Sequence, residues 1–204
     1  MILINSLPKL LLFFLISSKK FHAKTKAQSA FSLTLAGLRH IVNGHLSVLE
    51  GDWDYEKFIG RQMNGLTIGV IGYGRLGSMY SNYCLAFGSR VLVYDPYIPL
   101  SSITCHNAVS SSLNSLLESS DIISLHVPLN KETTNMIGPK EINKMKSSAY
   151  LINAARGGIV DEETFIKAIE SHKLRGGAFD VLSDENPDGV ENSKLANFAK
   201  SKKN

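Results

Sequence analysis

From residue 66 onward, short apolar runs alternate with stretches whose apolar residues recur at helical spacing. Most of the runs are closed by glycine, aspartate, asparagine or proline, which favours strands that end in a turn. The predicted strands are Leu66–Ile71, Val91–Tyr94, Ile122–His126, Ala149–Ile152 and Ala178–Leu182, with a weaker candidate at Ser101–Asn107. This alternation predicts an α/β fold with a doubly wound parallel sheet, whose ligands lie beyond the carboxyl ends of the strands.

The first predicted strand runs directly into the sequence GYGRLG, residues 72–77. Gly72 allows a sharp turn off the strand, and Gly74 removes a Cβ that would keep a pyrophosphate at a distance. Gly77 lets the following helix pack close to the sheet, and the N-terminus of that helix offers free N–H groups to phosphates. The apolar face of this helix comprises Leu76, Met79, Tyr80, Tyr83, Cys84 and Phe87. The pattern indicates a dinucleotide site.

Asp95 follows the second predicted strand and indicates which dinucleotide binds. An acid at this position can accept hydrogen bonds from both ribose hydroxyls and repels a 2′-phosphate. The next residues are Pro96 and Tyr97, so no arginine follows that could hold such a phosphate. We therefore expect NAD in preference to NADP. The alternative is that Asp95 only begins a turn with Pro96, as Asp-Pro pairs often do.

The N-terminal quarter of the chain differs from the rest. Residues 1–27 are expected to form a separate segment, a remnant or a leader, and residues 28–204 one nucleotide-binding domain. In that domain, residues 28–62 are a predicted helical dimerisation arm and connector, and residues 63–204 are the core. The arm is the predicted helix Gln28–Leu49, which should stop near Asn43-Gly44. This apolar helix and the connector with Trp53 predict a homodimer.

The apolar run Leu10–Ile16 is too short to span a bilayer, for which about 20 residues are needed. It is followed by Ser-Ser-Lys-Lys rather than a small-residue cleavage site, so a signal peptide is disfavoured. An organellar address is a weaker alternative, because arginine is nearly absent. We expect no membrane partner and a cytoplasmic location.

Charge and cysteine content exclude several other classes of protein. The net charge is +4, but residues 1–49 hold six Lys or Arg and no acid, so the remainder carries −2. The basic balance therefore comes from the N-terminal piece and does not predict nucleic-acid binding. Cys84 and Cys105 form no CxxC pair and have no histidine at ligand spacing, which predicts reduced thiols and no metal site.

A second informative segment, NAARGGIVD, follows the predicted strand Ala149–Ile152. Arg156 offers a planar fork of donors suited to a carboxylate, and small residues around it allow a substrate to approach. A lone arginine would by default form a surface salt bridge. Its surroundings favour a functional role instead.

The sequence resembles the D-isomer-specific 2-hydroxyacid dehydrogenases, the family of phosphoglycerate, D-lactate, glyoxylate/hydroxypyruvate and formate dehydrogenases. The resemblance spans roughly residues 28–187 and rests on four motifs in order. They are FSLTLAGLRHIVNGHLSVLEGDW, IGVIGYGRLG, SLHVPLNKETTNMIG and MKSSAYLINAARGGIVDEETFIKAIESHKLRGGAFDVLSDENP. The resemblance implies a Rossmann-type cofactor domain, NAD as cofactor, and a small 2-hydroxy or 2-keto acid as substrate.

The resemblance also implies roles for individual residues. Arg156 matches the arginine that binds the substrate carboxylate and polarises its carbonyl, and Glu185 matches the glutamate that pairs with the catalytic histidine. Such a carboxylate would raise the pKa of the histidine and fix its tautomer. The remaining matches are cofactor contacts: Arg75 and Leu76 in the glycine loop, Val127 and Pro128 near the adenosine, and Ala154, Ala155 and Asp180 near the nicotinamide.

Some features depart from the family pattern. Asn186 separates Glu185 from Pro187, where the family usually has Glu-Pro directly, and no histidine follows Glu185. We therefore expect a fragment, mostly the cofactor domain, that lacks the acid/base histidine and most of the substrate domain. His126 matches a lining position and is not expected to replace that histidine. This fragment is expected to bind cofactor without useful turnover.

The favoured function is an NAD-dependent oxidoreductase that transfers a hydride between NAD and a 2-hydroxy or 2-keto acid, with 3-phosphoglycerate as the favoured single substrate. The alternative is an NAD(H)-binding regulatory module similar to the transcriptional corepressors that share this fold. A methyltransferase with a similar glycine loop would leave NAARGGIVD unexplained.

Overall fold

The computed structural model describes residues 23–104, 107–184 and 191–201. The strands are β1 (Thr67–Ile71), β2 (Arg90–Tyr94), β3 (Val109–Ser110), β4 (Ile122–Leu125), β5 (Tyr150–Asn153) and β6 (Gly176–Phe179). The α-helices are α1 (Ala23–Leu38), α2 (Ile41–Leu49), α3 (Arg75–Ala86), α4 (Leu100–Thr104), α5 (Leu113–Ser119), α6 (Pro139–Lys144), α7 (Glu162–Glu170) and α8 (Lys194–Ser201). A 3₁₀ helix covers Tyr55–Phe58.

The six strands form one sheet in the order β3-β2-β1-β4-β5-β6, and every pairing is parallel. The chain therefore moves outward from β1 in one direction, returns to the centre, and continues in the other direction from β4. This order confirms the predicted doubly wound sheet. The reversal between β1 and β4 leaves a crevice at their carboxyl ends, where such sheets bind ligands.

Helices cover both faces of the sheet, which explains why its strands are continuous apolar runs rather than alternating ones. Helices α1 and α3 contact the sheet on one face, where Ile68, Val70 and Ile152 are buried with Tyr80. Helices α5 to α8 cover the other face, where the strand side chains that point away from α1 and α3 are buried. This second core includes Ile71, Ile123, Leu125, Leu151, Leu116, Ile142, Phe165 and Leu195.

The predicted helix Gln28–Leu49 is wrong in its extent, because the structure contains two helices. The break lies at His40, whose φ of 52° is left-handed, a conformation that histidine adopts more readily than most residues. Asn43-Gly44, expected to stop the helix, lies inside α2. At the other end, α1 begins at Ala23 and Ala27 is fully buried, so the expected boundary after residue 27 falls within a helix.

Two strand predictions also need correction. The last strand is Gly176–Phe179 rather than Ala178–Leu182, so both glycines belong to the sheet. A Cβ on Gly177 would lie 2.6 Å from the ring of Phe165, and only glycine allows this close approach between strand and helix. The segment predicted as a weak strand at Ser101–Asn107 begins as helix α4, and Cys105 lies outside the described residues.

Within the described ranges, no helix combines the length and apolar character needed to cross a membrane. The run Leu10–Ile16 lies outside these ranges.

Asp121 joins the amino-terminal ends of the central strands. Its carboxylate accepts a hydrogen bond from the backbone N–H of Thr67 at 2.9 Å and contacts Lys146 at 3.3 Å and Arg61 at 3.4 Å. Burial alone would raise the pKa of Asp121, but the Thr67 N–H and the two cations outweigh it and hold that pKa below its usual value. Asp121 thus stabilises the start of β1 against the start of β4.

We expect Asp121→Asn to lower the free energy of unfolding by about 1–3 kcal/mol at pH 7, because the negative charge of a partly buried hydrogen-bond acceptor is lost beside Lys146 and Arg61. Since the pKa is lowered in the folded state, the stabilisation is present above the unfolded pKa near 3.9 and is lost as pH falls through the folded value. Urea unfolding at pH 7 and pH 3 should therefore show a larger difference between wild type and variant at pH 7. Glu170→Gln, an exposed charge deletion, serves as control. A difference that is the same at both pH values would contradict the assignment.

Candidate functional site

The glycine loop joins β1 to α3 at the centre of the sheet edge. Gly72 has a φ of 91°, and a Cβ there would lie 2.9 Å from the carbonyl carbon and oxygen of His126. A Cβ on Gly77 would collide with the carbonyl oxygen of Gly72, so α3 can begin this close to β1 only with glycine. This confirms the close packing expected from the sequence.

Gly74 differs from its two neighbours in the motif. Its φ of −67° is open to any residue, and a Cβ there would meet no protein atom within 4 Å. Gly74 is the N-cap of α3, and its carbonyl accepts the first helical bond, from the N–H of Ser78. The amides of Arg75, Leu76 and Gly77 precede that bond, so helical geometry gives them no acceptor within the helix. The open space beside Gly74 and these amides fit a pyrophosphate.

Asp95 is tied to the glycine loop. Its Oδ2 accepts a hydrogen bond from the N–H of Tyr73 at 2.7 Å, and its Oδ1 accepts one from the N–H of Tyr97 at 2.9 Å. The second bond closes a turn through Pro96, so Asp95 does begin a turn with Pro96, as the alternative interpretation expected. A carboxylate offers about four lone-pair positions, so these two bonds leave acceptors for ribose hydroxyls. The ribose role of Asp95 stays a prediction.

His126, Val127 and Pro128 follow β4 and form the next wall along the edge. The N–H of His126 donates to the carbonyl of Ile71, and its Nε2 lies 2.9 Å from the hydroxyl of Ser124. Burial lowers the pKa of His126 to about 3, so the ring is neutral near pH 7. A general acid or base works best with a pKa near the working pH, which favours a lining role for His126.

Arg156 lies on a turn that Asn153 organises. Asn153 is 1% exposed; its Nδ2 donates to the carbonyl of Arg156 at 2.9 Å, and its Oδ1 accepts from the N–H of Ala155 at 3.1 Å. The guanidinium of Arg156 is exposed and donates to the carbonyl of Ala155. Ala154 is buried beneath the turn. The side chain of Asn153 therefore fixes the backbone from which Arg156 projects.

A second clamp holds this turn, and sequence reasoning missed it. The N–H of Gly158 donates to the hydroxyl of Ser183, whose own O–H and N–H donate to Glu162 at the start of α7. These partners are 21 and 25 residues apart in sequence, so no local pattern marks them. Asp180 follows β6, and its N–H donates to the carbonyl of Asn153. Glu185 lies outside the described residues.

The parallel sheet places these groups along one edge in a fixed lateral order. The order is Asp95 after β2, the glycine loop after β1, His126–Pro128 after β4, the Arg156 turn after β5 and Asp180 after β6. A cavity of about 580 Å³ lies at the opposite edge, because Ser147 and Ser148 in its wall precede β5. That cavity contains none of the predicted site residues. Within the part of the chain described here, no three His, Cys, Asp or Glu side chains form a group that could hold a metal ion.

Substitutions of Gly74 and Gly77 should have opposite effects on cofactor binding and on stability. Gly74→Ala should leave the free energy of unfolding within about 0.5 kcal/mol, because its Cβ meets no protein atom, yet lower NADH affinity at least about ten-fold by occupying the pyrophosphate space. Gly77→Ala should cost about 1–3 kcal/mol of stability through overpacking against Gly72. Chemical unfolding measures the stability of each variant, and NADH fluorescence titration measures its cofactor affinity. Unchanged NADH affinity in Gly74→Ala would exclude the phosphate from this loop.

Comparisons with known proteins agree with this geometry. Residues 31–201 match the family model for the NAD-binding domain of the D-isomer-specific 2-hydroxyacid dehydrogenases. The chain is 41% identical over 161 residues to D-3-phosphoglycerate dehydrogenase of Archaeoglobus fulgidus, covering 79% of this chain and 31% of that protein. It is 36% identical over 173 residues to hydroxypyruvate reductase of Thermotoga maritima, covering 85% and 56% of the two chains.

A solved structure is similar to this chain along most of its length. D-lactate dehydrogenase from Aquifex aeolicus, in complex with NAD and lactic acid, superposes with a TM-score of 0.81 at 33% identity, covering 90% of this chain and 56% of that one. The chain thus spans about a third to just over half of the length of these relatives. It belongs to the D-isomer-specific 2-hydroxyacid dehydrogenase family and contains that family's NAD-binding domain.

Proposed function

We propose that this chain is the cofactor-binding part of an oxidoreductase that interconverts a 2-hydroxy acid and a 2-keto acid. The observation that carries the proposal is the lateral order of the sheet edge, in which the Arg156 turn follows the nucleotide crevice on the side away from Asp95. A dinucleotide that begins at Asp95 and crosses the glycine loop would end beside Arg156. Several relatives are named D-3-phosphoglycerate dehydrogenase, which supports 3-phosphoglycerate as the proposed substrate.

Residues along the edge divide the cofactor among them in this proposal. The amides of Arg75, Leu76 and Gly77, beside the open space at Gly74, bind the pyrophosphate, and Asp95 binds the ribose hydroxyls. The other proposed contacts are Val127 and Pro128 for the adenosine, and Ala154, Ala155 and Asp180 for the nicotinamide. When bound, NAD supplies the hydride acceptor or donor of the reaction.

Arg156 binds the substrate carboxylate through its fork of donors and orients the carbonyl or carbinol carbon toward the nicotinamide position. Asn153 and the Ser183–Glu162 clamp hold the turn in place, so the backbone that carries Arg156 does not have to be ordered when the substrate arrives. Glu185 is proposed to orient the imidazole that the family uses as acid and base, and to raise its pKa. A regulatory module would need neither Arg156 nor Glu185.

We also propose a homodimer, built on the second half of the predicted arm and on the connector with Trp53. Helix α1 packs against α3 and the sheet, so most of its apolar residues are already covered within the chain. The exposed apolar surface instead lies on α2 and the connector, where Trp53 is 78% exposed and Ile59 70%. The dimer patch, as we define it, comprises Ile41, Val48, Leu49, Trp53, Tyr55 and Ile59. Large exposed apolar side chains concentrated in one short stretch of the chain favour an interface.

The reaction is proposed to take place in the cytoplasm, in keeping with the free, buried thiol of Cys84.

We expect Arg156→Gln to weaken binding of glyoxylate or hydroxypyruvate to the NADH-loaded chain by about 10- to 100-fold, because two charged hydrogen bonds are lost. NADH affinity itself should change less than about two-fold. Arg156→Lys should lie between wild type and Arg156→Gln, because lysine keeps the charge but not the fork. Calorimetric titration of each keto acid into the NADH complex provides the measurement.

Arg175→Gln, an exposed arginine at the opposite edge, is the matched control and should bind both ligands as the wild type does. Wild-type NADH binding with keto-acid affinity that does not depend on Arg156 would contradict the enzyme proposal and favour the regulatory module.

The dimer patch gives a separate expectation. Light scattering at micromolar concentration should give twice the chain mass, and Trp53→Ser with Val48→Ser should shift it to one chain without loss of fold, since both side chains are exposed. Phe87→Ser, half-exposed at the C-cap of α3, should remain dimeric. A wild-type mass of one chain would exclude the dimer.

A further inference from the structure

Two loops flank the glycine loop at the edge of the sheet. One is the segment Asp95–Pro99 after β2, and the other is the segment Pro128–Thr133 after β4. Because β1 lies between β2 and β4 in the sheet, any direct contact between these loops must cross the crevice above the glycine loop. The adenosine half of the proposed site lies in that interval.

Such a contact exists. The phenol of Tyr97 donates a hydrogen bond to Oε2 of Glu132 at 2.5 Å, joining residues 35 positions apart. This hydrogen bond, together with the negative charge of Glu132, raises the pKa of Tyr97, so the phenol stays protonated and able to donate. A hydrogen bond to a charged acceptor is stronger than a neutral one and fixes both side chains.

Both ends of this contact are held by their own backbones. The N–H of Tyr97 donates to Asp95, the residue proposed to bind the ribose. On the other side, the N–H of Glu132 donates to Oδ1 of Asn130, and the hydroxyl of Thr133 donates to the carbonyl of Pro128. Tyr97 therefore contacts two carboxylates at the mouth of the crevice, Asp95 through its backbone N–H and Glu132 through its phenol.

Stability of the fold does not explain this contact. Tyr97 is 76% exposed, so its ring buries little apolar surface, and Glu132 is exposed as well. Surface pairs of charged or polar groups contribute little to folding. An exposed aromatic side chain held across a crevice is better explained by a ligand that enters the crevice.

We propose that Tyr97 and Glu132 form a strap over the adenosine half of the NAD site, and that Glu132 is a second determinant of NAD specificity beside Asp95. The strap rests on the proposed position of the ribose at Asp95. The hydrogen bond slows the escape of bound dinucleotide, and the carboxylate of Glu132 repels a 2′-phosphate at the same opening. The two roles belong to different atoms and can be separated by substitution.

Tyr97→Phe removes the hydrogen bond and keeps the charge. NADH should dissociate about three- to ten-fold faster from this variant, with the ratio of NADH to NADPH affinity unchanged within about two-fold. Glu132→Gln keeps an oxygen that can accept from Tyr97 but removes the charge. It should raise NADPH affinity about two- to five-fold relative to NADH. NADH dissociation should speed up less than in Tyr97→Phe, because a weaker, neutral hydrogen bond remains.

Stopped-flow displacement of NADH and titration with both cofactors measure these effects on the full 204-residue chain. Glu118→Gln is the matched control, because it deletes an exposed charge on α5, whose end leads into the opposite edge of the sheet. Wild-type NADH dissociation from Tyr97→Phe would overturn the strap. An equal shift in cofactor preference from Glu118→Gln and Glu132→Gln would overturn the specificity role.

Asp95→Ala separates failure of the strap from failure of the proposed site. One outcome is that Asp95→Ala weakens NADH binding and reduces the preference for NADH over NADPH while Tyr97→Phe and Glu132→Gln behave as wild type. In that case the proposed ribose position stands and the strap is wrong. If Asp95→Ala has no effect, or wild type does not bind NADH, the proposed position of the cofactor fails and the strap fails with it.

Discussion

The site depends on a close backbone contact between the end of β1 and the start of α3. A Cβ on Gly77 would collide with the carbonyl of Gly72, and a Cβ on Gly72 would press against His126. Because neither is present, the first turn of α3 lies directly over the carboxyl end of the central strand. The same contact fixes the direction of α3, which brings Tyr80 into the core against α1, where its hydroxyl lies 2.8 Å from that of Thr34. The amides proposed to bind the pyrophosphate and the packing of one face of the sheet thus share one geometric requirement.

The parallel sheet then turns a linear sequence into a laterally ordered site. Each predicted functional segment follows a different strand, and parallel pairing brings all of their starting points to one edge. Asp95 and the Arg156 turn are 61 positions apart in sequence, yet they lie on the two sides of the same crevice. The supports differ at the two ends: Asp95 is held by backbone amides of its neighbours, whereas the Arg156 turn is held by the buried side chain of Asn153.

Local chemistry allowed much of the fold to be predicted. The glycine turn at residues 72–77 and the alternation of apolar strands with helices each depend on a few neighbouring residues, and the structure contains both. The break at His40 depends on a left-handed residue that has no strong sequence signal, and β6 begins at two glycines because Phe165 and Tyr150 lie against them. Arg156 was found through its motif. Ser183, Glu162 and the contact of Tyr97 with Glu132 were not, because each pairing joins distant parts of the chain.

A crystal structure of the chain with bound NADH tests the central claim most directly, since it locates the dinucleotide without reference to activity. The account predicts pyrophosphate oxygens at hydrogen-bond distance, about 2.7–3.2 Å, from the amides of Arg75 to Gly77. It also predicts ribose hydroxyls on Asp95 and the nicotinamide beside the Arg156 turn. A dinucleotide in the reverse orientation, or in the cavity lined by Ser147 and Arg175 at the opposite edge, would contradict it.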